Sequence, residues 1–224
     1  METETQQRHR YPQPPSLVEL GLVEPTTVGQ RRSGADLPKM KKFRFQLLGD
    51  WIADNFAPCR VADVGGGKGM LAYLLGRQGF DAVVIDPMEQ ALPDKFKDLR
   101  TGARVRIESS VRVPRITEPF SEEPGAGFDM LVALHSHGSN IAIIETCVRD
   151  PVIGVILPCC VIDEPQVPPV GANWFMWLVE LAQQRGLSVE LFALNFSGQN
   201  VGIVVRGPAT AAGSDGSGQE SETP

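Results

Sequence analysis

The feature that most restricts the fold is a short apolar run that ends abruptly in glycine: Arg60-Val61-Ala62-Asp63-Val64 is followed at once by Gly65-Gly66-Gly67-Lys68-Gly69. Five residues, two of them β-branched valines, are too few for a helix and read as a buried parallel strand. The glycines allow a tight turn, and residues 69–78 then resume at helical spacing until Gly79. Strand, glycine turn and helix in that order begin a βαβ unit, so an open α/β sheet is expected. Free N–H groups at the start of such a helix, with no side chains on the turn to hold a ligand off, make this the expected place for a nucleotide-like ligand.

The rest of the chain alternates in the same way. In residues 41–56, Phe45, Leu48, Trp51, Ile52 and Phe56 recur at helical spacing until Pro58. Residues 82–86 form a second strand that Pro87 ends. A further strand is expected within residues 104–116, its register open. Residues 128–134 read as a strand and 139–148 as a helix with Ile141, Ile144 and Val148 on one face. Residues 152–157 are another buried strand. The three prolines of residues 162–170 mark a loop, followed by a helix carrying Trp174, Leu178, Leu181 and Ala182 and ended by Gly186. Residues 188–196 and 201–206 read as strands joined by a hairpin connection at 197–200, so the sheet is expected to end in an antiparallel strand.

A length of 224 residues suits one such domain. Residues 1–38 lack a sustained period and read as a mobile arm, with a short amphipathic piece at 16–23, while residues 207–224 contain no large apolar side chain and read as a disordered tail. The core domain is then 39–206. Lys and Arg number 21 against 27 Asp and Glu, a net charge of −6, so the molecule as a whole is not a polyanion binder and any nucleic-acid contact must be local. No apolar stretch approaches the roughly 18 residues that span a bilayer. The first residues show neither an apolar run nor a cleavage pattern, which makes the cytoplasm the expected location. Cys59, Cys147, Cys159 and Cys160 form neither a disulfide framework nor a CxxC pattern, and are expected as reduced thiols.

Three readings of the glycine turn compete. A phosphate loop needs a hydroxyl after its lysine, and here Lys68 precedes Gly69. A dinucleotide fingerprint can be drawn through Gly67, Gly69 and Ala72, with Asp86 as ribose acid, but its glycines come late relative to the strand. The D-x-G-x-G-x-G spacing at Asp63, Gly65, Gly67 and Gly69, with a second acid at Asp86, resembles class I S-adenosylmethionine-dependent methyltransferases. The resemblance covers most of the core. It implies an α/β, Rossmann-like fold with a seven-stranded, mostly parallel sheet and a C-terminal antiparallel hairpin. It further implies S-adenosyl-L-methionine as cofactor, with Asp63 near its amino-acid end, Asp86 on its ribose hydroxyls, and Gly65, Gly67, Gly69 and Leu134 beside it. A carboxylate suits both tasks, since it attracts an ammonium and accepts two hydrogen bonds from a diol. The plain alternative for Asp86 is a turn former at a strand end.

Ligands of open α/β sheets bind outside the carboxyl ends of the strands. Two such ends are unusual: Leu134-His135-Ser136-His137-Gly138 and Leu157-Pro158-Cys159-Cys160. The D/N-P-P-Y/F tetrapeptide of many amino-group methyltransferases is absent. The His-Ser segment paired with Leu-Pro-Cys-Cys is similar to a group of tRNA uridine 2′-O-methyltransferases, which implies RNA, tRNA in particular, as acceptor. A small-molecule acceptor and a non-catalytic binding module are the other readings, with an NAD-dependent oxidoreductase behind them.

The candidate chemistry at these ends is threefold. His135 or His137 could act as a general base, on opposite sides if the strand continues through them. Cys159 or Cys160 could be a thiolate nucleophile, although a vicinal pair at a strand end is more often packing. Two His and two Cys could bind zinc, yet adjacent cysteines rarely close one tetrahedral site, so no metal is expected. Trp174 and Trp177 read as core or pocket wall, with base stacking the lesser alternative. Six basic residues between Arg31 and Arg44, among them Lys39, Lys41, Lys42 and Arg44, face one acid, Asp36, and could guide an RNA backbone or simply be a solvated helix start.

Overall fold

In the computed structural model, which describes residues 40–121, 127–196 and 198–207, the first core segment forms a 3-10 turn, Lys41–Phe43, and helix α1, Arg44–Asn55. Strand β1 is Arg60–Val64, and the glycine turn delivers the chain into helix α2, Met70–Gly76. Strand β2 is Asp81–Ile85. A small antiparallel ribbon follows, β3 Lys95–Lys97 and β4 Arg104–Arg106, then the two-residue β5, Arg115–Ile116. Beyond it come β6 Met130–Leu134, α3 Asn140–Arg149, β7 Ile153–Leu157, α4 Trp174–Gln184, β8 Ser188–Ala193 and β9 Val201–Arg206.

The main sheet has seven strands in the order β5-β2-β1-β6-β7-β9-β8. Those from β5 to β7 are parallel, and β9 runs antiparallel to both β7 and β8. The expected terminal hairpin is present, with its last strand inserted inside the sheet and β8 at the edge. The chain moves outward from β1 through β2 to β5 and then returns to pair β6 with β1. That reversal is the topological switch point, and in open α/β sheets ligands bind outside the carboxyl ends of the strands at such a point.

Alternating side chains bury both faces of the sheet, as a parallel sheet covered by helices requires. Val61, Met130 and Val132 pack with Leu48 and Ile52 of α1 and Leu71 and Leu75 of α2. Ala62, Leu131 and Ala133 pack on the other face with Ile141 and Ile144 of α3 and Leu178 and Ala182 of α4. A stack of Trp51 on Phe192, ring centroids 3.9 Å apart, ties α1 to the sheet edge.

Three expectations shift. The segment 104–116 holds two strands, and only β5 joins the main sheet. On α3 the buried face centres on Ile143, Ile144 and Cys147, which leaves Val148 on its margin and 42% exposed. The strand expected to reach Phe196 ends at Ala193, and Phe196 turns into the core, so the hairpin loop is longer than four residues. The expected arm and tail lie outside the described residues, apart from Gly207. Among the described residues no helix is long and apolar enough to cross a membrane.

Candidate functional site

The glycine turn lies between two carboxylates. Asp63, on β1, is 2% exposed, and its Oδ2 accepts the Ala72 N–H at 3.2 Å. Burial pushes its carboxyl up to about 7 and Asp86 adds to the rise, against the Ala72 hydrogen bond and the charge of Arg115, which lower it. Asp86 follows β2 directly; Oδ2 accepts the Gly67 N–H at 2.9 Å and Oδ1 the Met88 N–H at 2.8 Å. Gly67 has φ +53°, and a Cβ there would meet only Gln90 Nε2, at 3.9 Å, so its outer side is open. Gly65, at φ +63°, is pressed against the turn after β6, where a Cβ would overlap the Ser136 hydroxyl. Gly69 is the residue from which α2 starts.

Arg115 completes this arrangement and was not anticipated from the sequence. Its guanidinium donates to the carbonyls of Gly67 at 2.6 Å, Met88 at 3.1 Å and Gln90 at 3.2 Å, stapling the turn to the segment after β2. One basic residue in a segment of open register carried no signal for this role. A cavity of about 460 Å³ adjoins the staple, bordered by Lys68, Gln90, Leu92, Arg112 and Arg115, but not by Asp63 or Asp86.

At the ends of β6 and β7 the strand does not continue through the histidines. His135 adopts φ +56°, so the opposite-sides geometry does not apply. Its half-buried ring places Nε2 2.8 Å from the Gln199 carbonyl and lies edge-on to Phe196. Burial holds the imidazole below its ordinary value; Arg44, Lys41 and His137 act in the same sense and the Gln199 hydrogen bond opposes them. Leu134 is half-buried and paired with Leu157.

His137 is exposed and lies with the half-buried Cys159 and Cys160 in one cluster, ligand atoms within 4.8 Å of one another and the two Sγ atoms 3.4 Å apart. Burial, then the neighbouring Cys160, pushes the Cys159 thiol up to about 12, so it stays protonated at neutral pH and is a poor thiolate nucleophile.

Of the basic residues, Lys39 lies outside the described residues. Lys41 and Lys42 are exposed, Arg44 is half-buried, and Lys41 and Arg44 are close enough to His135 to oppose its protonation. The structure thus joins part of the basic segment to the end of β6. Trp174 is buried, and Trp177 stacks on it with centroids 5.5 Å apart, which makes the pair part of the core.

The seven-stranded order, parallel from β5 to β7 with β9 antiparallel between β7 and β8, is the Rossmann-like arrangement that the resemblance of the glycine-turn motif implied. Solved structures similar to this chain include a magnesium protoporphyrin IX methyltransferase from Synechocystis PCC 6803 with bound S-adenosylmethionine, 15% identical over 80% of this chain and 86% of that one, TM-score 0.47. A methyltransferase of calicheamicin biosynthesis, bound to S-adenosylhomocysteine, is 19% identical over 75% and 54%, TM-score 0.40. An O-methyltransferase family protein from Burkholderia thailandensis is 13% identical over 80% and 60%, TM-score 0.41. No protein-family model and no curated protein matches the chain.

Proposed function

We propose that the protein is an S-adenosylmethionine-dependent methyltransferase that acts on RNA, with tRNA the favoured acceptor. The observation that carries the cofactor reading is the pair Asp63 and Asp86 held at the two sides of an open glycine turn beside the sheet's switch point. The residues fit the group. Asp63 is a buried carboxylate whose ionised form a cofactor ammonium stabilises, Asp86 retains lone pairs for a ribose diol, and Gly67 leaves the approach clear. S-adenosylmethionine, when bound, supplies an activated methyl group.

The chain's own contribution on the acceptor side centres on His135. Its Nε2–H donates to the Gln199 carbonyl, which fixes the tautomer and leaves Nδ1 as the lone-pair acceptor for the proton of an attacking hydroxyl. Lys41 and Arg44, near that ring, support an anionic acceptor such as an RNA backbone. His137 follows the same strand, and Cys159 and Cys160 lie at the end of the neighbouring β7. Mass spectrometry of tRNA nucleosides from cells with and without the gene tests this reading directly. Loss of one methylated nucleoside is expected, and an unchanged nucleoside profile overturns the RNA acceptor. Calorimetry with S-adenosylhomocysteine and with NAD tests the cofactor, and binding of NAD alone overturns it.

A further inference from the structure

The ends of β6 and β7 carry a second group of residues that the methyl-transfer reading does not need. His137, Cys159 and Cys160 each offer a ligand atom, and all three atoms lie within 4.8 Å of one another. Adjacent residues of an extended strand point to opposite sides, which is why a vicinal pair is a poor ligand set in sequence terms. Here Pro158 follows the last residue of β7 and the chain has left the strand, so both thiols face one another at 3.4 Å. Two Zn–S bonds of about 2.3 Å at a tetrahedral angle set their sulfurs about 3.8 Å apart, so a few tenths of an ångström of movement suffice at the cysteines.

The cluster is also held from behind. The Glu164 carboxylate accepts the N–H groups of Asn140 at 3.0 Å and Ile141 at 3.2 Å, and the Asn140 side-chain amide donates to it as well. This fastens the segment after the cysteines to the start of α3, three residues beyond His137. Gly138 permits the approach, since a Cβ there would stand 2.8 Å from the Asp163 carbonyl. A contact between two loops that is fixed by a capping carboxylate and by the lack of one side chain is a prepared scaffold for ligands drawn from both loops.

We propose that His137, Cys159 and Cys160 bind one zinc ion, with a fourth position left to water. Two sulfurs and an imidazole are a soft to borderline donor set, which disfavours magnesium and calcium and suits zinc. Three protein ligands and an open position is the arrangement of a reactive zinc site, whereas structural sites close all four. The exposure of His137 and the half-burial of both cysteines give the ion a path from solvent. The site stands independently of the proposed methyl transfer.

The test uses the full chain, purified with a non-thiol reductant, stripped with a chelator and titrated with cobalt(II) as a spectroscopic probe. One equivalent should produce an intense near-ultraviolet thiolate-to-cobalt band that zinc abolishes. Zinc should also protect Cys159 and Cys160 of the parent protein from alkylation, read by mass spectrometry, a measurement that needs no variant. Cys159→Ser, Cys160→Ser and His137→Ala should each weaken zinc by more than the ~100-fold upper range for losing an outer-shell partner, while Cys59→Ser leaves it unchanged. Cobalt bound without the thiolate band, or equal alkylation of Cys159 and Cys160 with and without zinc, overturns the proposal. S-adenosylhomocysteine calorimetry on the same preparations separates the two readings, since zinc bound by a chain that ignores that ligand removes only the cofactor assignment.

Discussion

Gly67 gives its amide hydrogen to Asp86 Oδ2 at 2.9 Å, so the turn at the end of β1 and the acid at the end of β2 form one unit. The other carboxylate oxygen takes the Met88 N–H, and each oxygen keeps a further lone pair. Asp86→Ala removes the acceptor of two backbone donors at once. A loss of about 1–3 kcal/mol in stability is expected from leaving part-buried donors unpaired, together with loss of measurable S-adenosylhomocysteine binding. Asp86→Asn keeps an acceptor for one of the two N–H groups and turns its NH2 on the other, so it should recover only part of the stability while binding remains weak. Denaturant unfolding and calorimetry on both variants check this, and full affinity in Asp86→Ala removes the ribose assignment.

Asp63 predicts a pH dependence whose sign is fixed by burial. Its folded-state value of about 7 exceeds the ordinary 3.8, so between those limits the native protein binds more protons than the unfolded chain. Stability therefore falls as pH rises from about 4 to about 7 and is level above. Asp63→Asn, which can still accept the Ala72 N–H, should flatten that slope and be the more stable form above pH 7 without cofactor. Cofactor binding runs the other way: an ammonium favours the ionised carboxylate, so S-adenosylhomocysteine affinity should rise with pH through about 7 in the parent only. Thermal unfolding and calorimetry across this range read both effects.

Arg115 reaches three carbonyls on two segments, which a lysine's single ammonium on a flexible stem does not reproduce. Arg115→Ala and Arg115→Lys should both weaken S-adenosylhomocysteine by roughly tenfold, about 1.4 kcal/mol, with the fold retained. The guanidinium also lowers the Asp63 value, so Arg115→Ala should move the pH window of the preceding prediction upward. Tenfold weaker binding with an unmoved window would leave Arg115 a staple and no more.

What the sequence made legible follows physical lines. β1 and β9 match their expected bounds because both are β-branched runs bordered by turn residues. The ribbon strands Lys95–Lys97 and Arg104–Arg106 each have one apolar residue between two charges, and β5 is two residues long, so no period existed to read. That Asp63, the glycines and Asp86 meet at one turn was legible because their spacing is local to one βαβ unit. Arg115 and Gln199 were not, since each acts through a long-range contact with a backbone carbonyl or ring. The His135 geometry was hidden for a third reason: a non-glycine residue at φ +56° departs from what a strand-end pattern implies.

The basic segment supplies the last prediction. Lys41 and Arg44 lie near His135 at the carboxyl edge of the sheet, whereas the chain as a whole carries −6, so an RNA backbone would be held there by local charge against a repelling remainder. Each phosphate contact on a single strand contributes about 0.7 to the slope of log affinity against log salt, so replacing Lys39, Lys41, Lys42 and Arg44 by Gln should flatten that slope by up to about 3. The weakening should be similar for all RNA sequences, because phosphate contacts position a backbone and do not read bases. S-adenosylhomocysteine affinity should not move, since the acids and the glycine turn are untouched. Filter binding of unmodified tRNA across a salt series reads the slope, and a parent protein that fails to bind tRNA at low salt removes the charge argument for an RNA acceptor.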